Sequence, residues 1–508
     1  MSLTATCQRI VRDPLLSPSQ KSHALALAAE NALPYPELPA SVADAMAEGV
    51  LCDMFEGHAP YKPRYVLPDY QRFLSQGSAW LELAPPTDFD EALDALRIFY
   101  HHVPSVTGMP VWLGRLDQLL LPFVGALDDE TLYGKLRRFW IYLDRVLPDA
   151  FMHVNIGPDD NRVCRLILRI DGELKQVAPN LSLFHDPSQT PDSLLMQAVQ
   201  NIAECGKPHI VNYPLHRDTF DTRGFGIVSC YNALPLGGGA NTLVRISLKE
   251  VAARSAGIDD FMNTCLPHYC EQASLLIEAR ARFLHQASGF FDSFLVQEGL
   301  IEEERFVPMF GIYGMAEAVN ILMDKENLPE RYGRDEEANR LGYRISAELS
   351  DYVTNRPQPH AWGGRALLHA QGGLSVDRGV TPGVRIPYGE EPDPASHVLA
   401  LAPHHGFYGS GISEILTLDP TIRQNPQALL QLCKGAFAIG MREFSANVAD
   451  SDLVRVTGYM IRKSDVARFA AEGSRLQTTC LGAEASELTG IRQRAPRVVG
   501  LEACLGER

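Results

Sequence analysis

No run of about eighteen apolar residues occurs in this sequence, so nothing in it reads as a membrane-spanning helix. No C-x-x-C pair occurs either. The ten cysteines, at positions 7, 52, 164, 205, 230, 265, 270, 433, 480 and 504, are scattered, which argues against a disulfide framework and against a closed zinc site. Most are expected to be buried, inert thiols. There is no basic tract, and 46 Lys and Arg against 62 Asp and Glu leave a net charge of -16, so nucleic-acid binding is not expected. Repeats of fixed period and low-complexity linkers are also missing. Glycines 237–239 lack the lysine and helix start of a phosphate loop, which argues against nucleotide binding there. The first thirty residues lack a compact apolar region and contain Pro14 and Pro18, so they do not read as a signal peptide, and a cytoplasmic location is expected.

What remains is the composition of a soluble globular protein, with 45% hydrophobic and 21% charged residues over 508 positions. That length suits two or three ordinary domains or one large α/β barrel. The pattern divides into a mainly helical portion over 1–150, an α/β region over 151–440, and a C-terminal loop and tail over 441–508, read as one continuous catalytic unit. A box-like Thr87-x-x-Asp90 opens a helix with Phe89, Ala92, Leu93, Leu96 and Phe99 on one face. A second helix is expected over 271–297, with Leu275, Ala279, Phe283, Phe290 and Phe294 inward. Residues 162–177 read as a hairpin turning at Asp171-Gly172. Strands are expected over 179–183, 208–212, 225–229, 241–248 and 306–311, and helices over 191–204 and 315–323. This alternation suits a barrel of buried strands. Toward the end, 426–442 reads as a helix, 443–448 as a short strand and 449–458 as a loop.

Within that loop stands Arg455-Val456-Thr457-Gly458-Tyr459. A backbone radical needs a residue without a side chain, so that the Cα can flatten and delocalise into the flanking amides; only glycine permits this. Such a radical is a store that must pass its hole to a side chain able to reach substrate, and a cysteine at a loop tip meets that demand. Gly224-Phe-Gly-Ile-Val-Ser-Cys230-Tyr-Asn-Ala-Leu-Pro-Leu-Gly-Gly-Gly239 offers one, between an apolar strand and a returning strand.

The RVxGY segment resembles the radical loop of glycyl radical enzymes, and the Cys230 segment resembles their cysteine finger. Gly206 to Asn212 resembles the strand that precedes the finger, and Phe310 to Ala318 a segment of anaerobic ribonucleotide reductases. The resemblance covers roughly residues 150 to 470 and is nearest to the YjjI-type glycyl radical enzymes. It implies an α/β fold, the ten-stranded barrel of that superfamily, with two five-stranded halves around Cys230 and Gly458 and a helical N-terminal portion. It further implies an oxygen-sensitive, anaerobic enzyme in which Gly458 carries the radical and a Cys230 thiyl takes hydrogen from a small polar substrate. The reaction class stays open among lyase, dehydratase and acyltransferase. The implied partner is a radical S-adenosylmethionine activating enzyme, which alone would carry the iron-sulfur cluster; no metal is expected in this chain, and a homodimer is implied.

Several departures from better-known members narrow the chemistry. Position 232 is Asn where the eliminases and decarboxylases place a glutamate base, which disfavours diol dehydration by their route. Ser229 and Tyr231 flank Cys230, so the paired cysteines of formate acetyltransferase are missing. Only Cys433 precedes the radical loop closely, so the four-cysteine zinc site of anaerobic ribonucleotide reductase is missing too. A reductase of that architecture and a non-catalytic radical carrier remain the alternatives, the carrier opposed by the complete finger.

Further candidates for substrate contact are Asn232, which could equally shape the turn, and Arg217 with His216 and Asp218, which could equally be surface ion-pair residues. Glu317 is a candidate base or a helix-start carboxylate, and His404, next to His405, a candidate acid or a structural histidine. Cys205 and Cys433 are possible second thiols or core residues.

Overall fold

The computed structural model describes residues 2–472 apart from 15, 17, 31, 33–35, 54–60, 106–108, 148–150, 230, 371–378, 388, 413 and 456–459. Both Cys230 and Gly458 lie outside the described residues. In chain order the first strands are β1 (Leu51–Asp53), β2 (Tyr65–Leu67), β3 (Trp112–Arg115), β4 (His153–Ile156), β5 (Asn180–His185) and β6 (His209–Asn212). A hairpin, β7 (Phe225–Val228) and β8 (Asn232–Pro235), precedes the long β9 (Gly238–Ser247), followed by β10 (Phe306–Tyr313) and β11 (Leu367–Ala370). The last are β12 (Leu416–Leu418), β13 (Glu443–Phe444), β14 (Ala446–Val448), β15 (Leu453–Arg455) and β16 (Met460–Arg462).

These strands build two five-stranded sheets. In the first, β3 to β6 run parallel and β13 closes the edge antiparallel to β6. The second has β9, β10 and β11 parallel, with β1 and β2 antiparallel on β9. Helices Asp129–Val146, Arg162–Leu174 and Asp192–Cys205 cover the first sheet, and Leu266–Ala287 packs on β9. The β7–β8 hairpin sits between the sheets, β7 against β3 and β4, and β8 against β9 and β10. Among the described residues no helix is long and apolar enough to cross a membrane.

The expected hairpin at 162–177 is instead the helix Arg162–Leu174. Its buried residues, Val163, Cys164, Ile167, Leu168, Ile170 and Asp171, follow helical spacing, and Asn161 caps it by accepting from Cys164 N–H at 2.9 Å. Asp171 is no turn residue: it is fully buried against Lys207 Nζ at 2.6 Å. Gly172 lets the neighbouring helix approach, since a Cβ there would lie 2.5 Å from Asn201 Oδ1.

Smaller corrections concern ends. The helix expected from Thr87 is capped by Asp88, which accepts from Glu91 N–H at 2.9 Å. The helix over 271–297 runs Leu266–Ala287 and buries Ala273, Leu276, Ile277, Ala281 and Leu284, so its inward face is displaced from the one expected. The helix at 426 ends at Ala438. The strand at 443–448 breaks at Ser445, one half joining β6 and the other β12, and 453–455 within the expected loop is a strand paired with β16. Glycines 238 and 239 begin β9 because backbone presses on it from both sides: Cβ atoms there would sit 2.1 Å from Arg305 O and 2.0 Å from Tyr65 O.

Candidate active site

A hairpin enclosed between two sheets has backbone groups that no ladder satisfies, and each must find a partner. Asn155 on β4 supplies one pair: its Oδ1 accepts from Ile227 N–H and its Nδ2 donates to Ile227 O, both at 2.9 Å. Trp112 Nε1 donates to the same Oδ1 at 2.8 Å, which fixes the amide.

At the hairpin tip the residues on either side of position 230 take left-handed backbone, Ser229 at φ 49° and Tyr231 at φ 63°. Such conformations cost about 1 to 3 kcal/mol each in residues other than glycine and persist only where the surroundings enforce them. The surroundings here do. Tyr65 OH donates to Ser229 Oγ at 3.2 Å, Tyr231 OH bonds Ser445 Oγ at 3.0 Å, and Ser445 Oγ donates to Glu414 O at 2.5 Å. Gly411 approaches so closely that a Cβ would meet Tyr231 O at 1.8 Å. The His209 ring packs edge-on to Tyr231, centroids 4.5 Å apart.

From the other end of the chain, the Arg455 guanidinium lies over the Tyr231 ring, 5.6 Å from its centroid. Arg455 is 2% exposed, reaches Gly206 O at 3.2 Å and Asn180 Oδ1 at 3.4 Å, and exchanges backbone bonds with the Asn447 amide. The β15–β16 pair, which brackets 456–459, is thereby held beside the hairpin tip.

Facing the tip is a row of polar side chains on the first sheet. His153 Nε2 bonds Ser182 Oγ at 2.5 Å, Ser182 Oγ bonds His209 Nε2 at 3.1 Å, and His209 lies 3.6 Å from Glu443 Oε2. His216 Nε2 lies 3.5 Å from Glu443 Oε1. Burial drives all three histidines well below the usual imidazole range, helped at His153 and His209 by Arg455 and at His216 by Arg442. Burial likewise pushes Glu443 well above the usual carboxylate range, against the pull of Arg442 and Arg455. Both shifts favour the neutral forms of the groups in the His–Glu contacts. Among the described residues, neither Glu443 oxygen and neither His216 nitrogen finds a hydrogen-bond partner, and Asn232, whose Nδ2 donates to Val228 O at 3.0 Å, has none for Oδ1. Buried polar atoms without partners are costly, which makes these groups the candidates for contact with a polar ligand.

Of the residues singled out in the sequence, Asn232 and His216 thus stand at the tip and the polar row. Arg217 stands elsewhere, its side chain 53% exposed and 3.7 Å from Asp186 and from Asp218. Glu317 accepts from Thr381 N–H at 2.9 Å and from its hydroxyl, tying down the segment after β11. His404 belongs to a knot in which Ser346 Oγ bonds its Nδ1 at 2.8 Å, Tyr332 OH its Nε2 at 3.3 Å, and Tyr408 OH the same serine at 2.9 Å. Burial lowers His404 to about 4 and His405, which accepts from Arg442 N–H, to about 3. Cys205 packs with Leu453 and Met460 beneath the β15–β16 pair, its thiol pushed up to about 12 by burial, while Cys433 is buried in the helix Pro426–Ala438 with its thiol also raised. Glu443, His153, His209 and Ser182 were not singled out. Their signal was alternation, polar residues at every second position of otherwise apolar strands: His153 and Asn155, Asn180 and Ser182.

Metal-ligand spacing occurs among the described residues at His285, Glu303 and His360, whose ligand atoms lie within 4.8 Å of one another. The two rings stack at 4.5 Å and 27°, presenting faces rather than converging lone pairs, and His285 Nδ1 is bonded to Glu303 at 2.7 Å.

A family model described as glycyl radical enzyme YjjI-like matches residues 16–497. Over 502 residues the chain is 60% identical to the uncharacterized protein YjjI of Escherichia coli strain K12, covering 99% of this chain and 97% of that one. Hydroxyproline dehydratase from Clostridioides difficile, crystallised with trans-4-hydroxy-L-proline, superposes with a TM-score of 0.70 at 12% identity, covering 98% of this chain and 89% of that one. An anaerobic ribonucleotide reductase from Thermotoga maritima superposes with a TM-score of 0.69 at 10% identity, covering 91% and 93%. At such identities the likeness is one of fold, and the fold is the α/β barrel expected from the sequence, its halves the two five-stranded sheets.

Proposed function

The chain belongs to the YjjI-like glycyl radical enzymes, and on that premise we propose that Gly458 stores the radical and Cys230 delivers it to a small polar organic substrate. One observation carries the reading: Arg455, which opens the RVTGY segment, lies over Tyr231, the residue after Cys230. Arg455 and Tyr231, described members of two segments distant in sequence, thus lie together beside the polar row. Cys230 gives its thiol hydrogen to the Gly458 centre and, as a thiyl, takes one from a substrate carbon. The enclosing sheets exclude water and oxygen, which a carbon radical requires. Asn232 offers its free Oδ1 to a substrate donor. The partner is a radical S-adenosylmethionine activating enzyme, and the working form is a cytoplasmic homodimer that needs no metal of its own.

Anaerobic incubation with that activase should produce a glycyl-type doublet in electron paramagnetic resonance. Gly458→Ala should abolish it, and air should then cleave the wild-type chain at residue 458. Cys230→Ala should keep the doublet and lose all turnover. A doublet persisting in Gly458→Ala, or turnover persisting in Cys230→Ala, would refute the assignment.

A further inference from the structure

Glu443 is where the interior polar row has its least explained member. It sits on the two-residue strand β13, both oxygens without a hydrogen bond among the described residues, between His209 at 3.6 Å and His216 at 3.5 Å. A carboxyl group there is not needed to hold the strand, whose pairing with β6 is made by backbone. It is also joined to the hairpin tip by a continuous path. His209 packs on Tyr231, and Ser182 bridges His209 to His153. Glu443 and His153 are the two ends of a line of exchangeable protons, and its inner member His209 touches Tyr231, the residue after position 230.

We propose that Glu443 is the proton donor to an oxygen of the substrate, and that His153, Ser182 and His209 return to it the proton that a second substrate oxygen releases. This rests on the radical reading and extends it to a substrate class: a small molecule with two oxygen functions, one that takes up a proton and one that gives a proton up. The O–H bond of Glu443 breaks as an O–H bond to the first oxygen forms. The second oxygen yields its hydrogen to the free nitrogen of His153. A shift follows, His153 passing its Nε2 proton to Ser182, Ser182 its own to His209 Nδ1 at 3.4 Å and His209 its Nε2 proton to the carboxylate, so that Glu443 and Ser182 end as they began, the two imidazoles end as their opposite neutral tautomers, and no electrons change hands. Asn232 leaves the tip without a carboxylate, and Glu443 supplies one from the opposite wall.

Infrared spectra of the unactivated full chain test the donor without any substrate. At about neutral pH the wild type should show the carbonyl stretch of a protonated carboxyl group, shifted in heavy water; Glu443→Gln should lose that band and Glu414→Gln should keep it. Ser182→Ala should retain the band and slow its exchange with deuterium several-fold, a change that packing alone does not produce. A wild type lacking the band, or an exchange rate unaltered in Ser182→Ala, overturns the proposal. If Glu443→Gln does not fold, the wild-type difference between light and heavy water and the Ser182→Ala rate still decide. After activation, Glu443→Gln should carry the wild-type radical content, and loss of the radical in this variant alone would overturn the donor role. A wild type that forms no radical sinks the parent reading and leaves the infrared result standing.

Discussion

Two histidine-rich clusters are buried in this protein, one around His404 and one around Glu443. In the His404 knot, Ser346, Tyr332 and Tyr408 occupy the polar atoms of one another and of both ring nitrogens. In the Glu443 row the acid and His216 are left without hydrogen bonds among the described residues, and the contacts of the acid with His209 and His216 are long, at 3.6 and 3.5 Å. Burial shifts both sets toward neutral forms, so a perturbed pKa alone does not tell them apart. Satisfaction does. The first cluster is complete as it stands and acts as packing; the second leaves polar atoms unmatched among the described residues, where the substrate contact proposed above would fall.

Replacing one member of each cluster sharpens that contrast, and the largest effect is expected at the acid. Glu443→Gln should lower turnover per radical about a hundredfold or more, the range of general acid–base catalysis, while leaving the melting temperature near that of the wild type. His404→Ala should do the reverse. It strands Ser346 and Tyr332 and opens a cavity, so calorimetry should read a loss of about 2 to 4 kcal/mol, with turnover per radical within about twofold of wild type. Equal losses of activity in the two variants would erase the distinction. Asn232→Ala should raise KM and leave some turnover, because the amide contacts substrate without moving its protons; its lost bond to Val228 is worth about 1 kcal/mol.

A further effect is one of pH on stability. Burial holds the folded pKa of Glu443 above its ordinary 4.5, so above that value the unfolded chain releases a proton that the folded chain keeps. Native stability from this group is therefore fully present below about pH 4.5 and declines by about 1.4 kcal/mol per unit as pH rises, until the folded pKa is reached. Glutamine does not titrate. The melting temperature of Glu443→Gln relative to wild type should accordingly rise between about pH 4 and pH 7, by a few degrees at most. A difference that falls over that range would mean that the carboxyl is ionised in the folded protein.

Strands 180–185, 209–212 and 306–313 were legible because each is a short apolar run with turn residues at its ends. The Cys230 and Gly458 segments could be nominated from sequence because the chemistry proposed for them restricts each to one residue type, and Asn232 and His216 could be nominated because they stand close to Cys230 in sequence. The helix Arg162–Leu174 was not: Asp171-Gly172 has the form of a turn, and the partners that make it helical, Lys207 and Asn201, are some thirty residues away. Glu443 was hidden for a related reason. Its strand is two residues long, and its significance depends on β4, β5 and β6 aligning their polar positions beside it. Local pattern announces elements and loop chemistry; which polar atoms remain unsatisfied is decided only when distant strands are brought together.

Gly411 carries a consequence for lineage. Because Tyr231 O occupies the place of its Cβ, no side chain can be introduced at 411 while the tip keeps its shape. Descent with the same finger geometry thus requires glycine at a position remote in sequence from both motifs. Where a homologous chain has a larger residue there, its finger must have been rebuilt, and any activity inferred from the motifs alone should not be transferred to it.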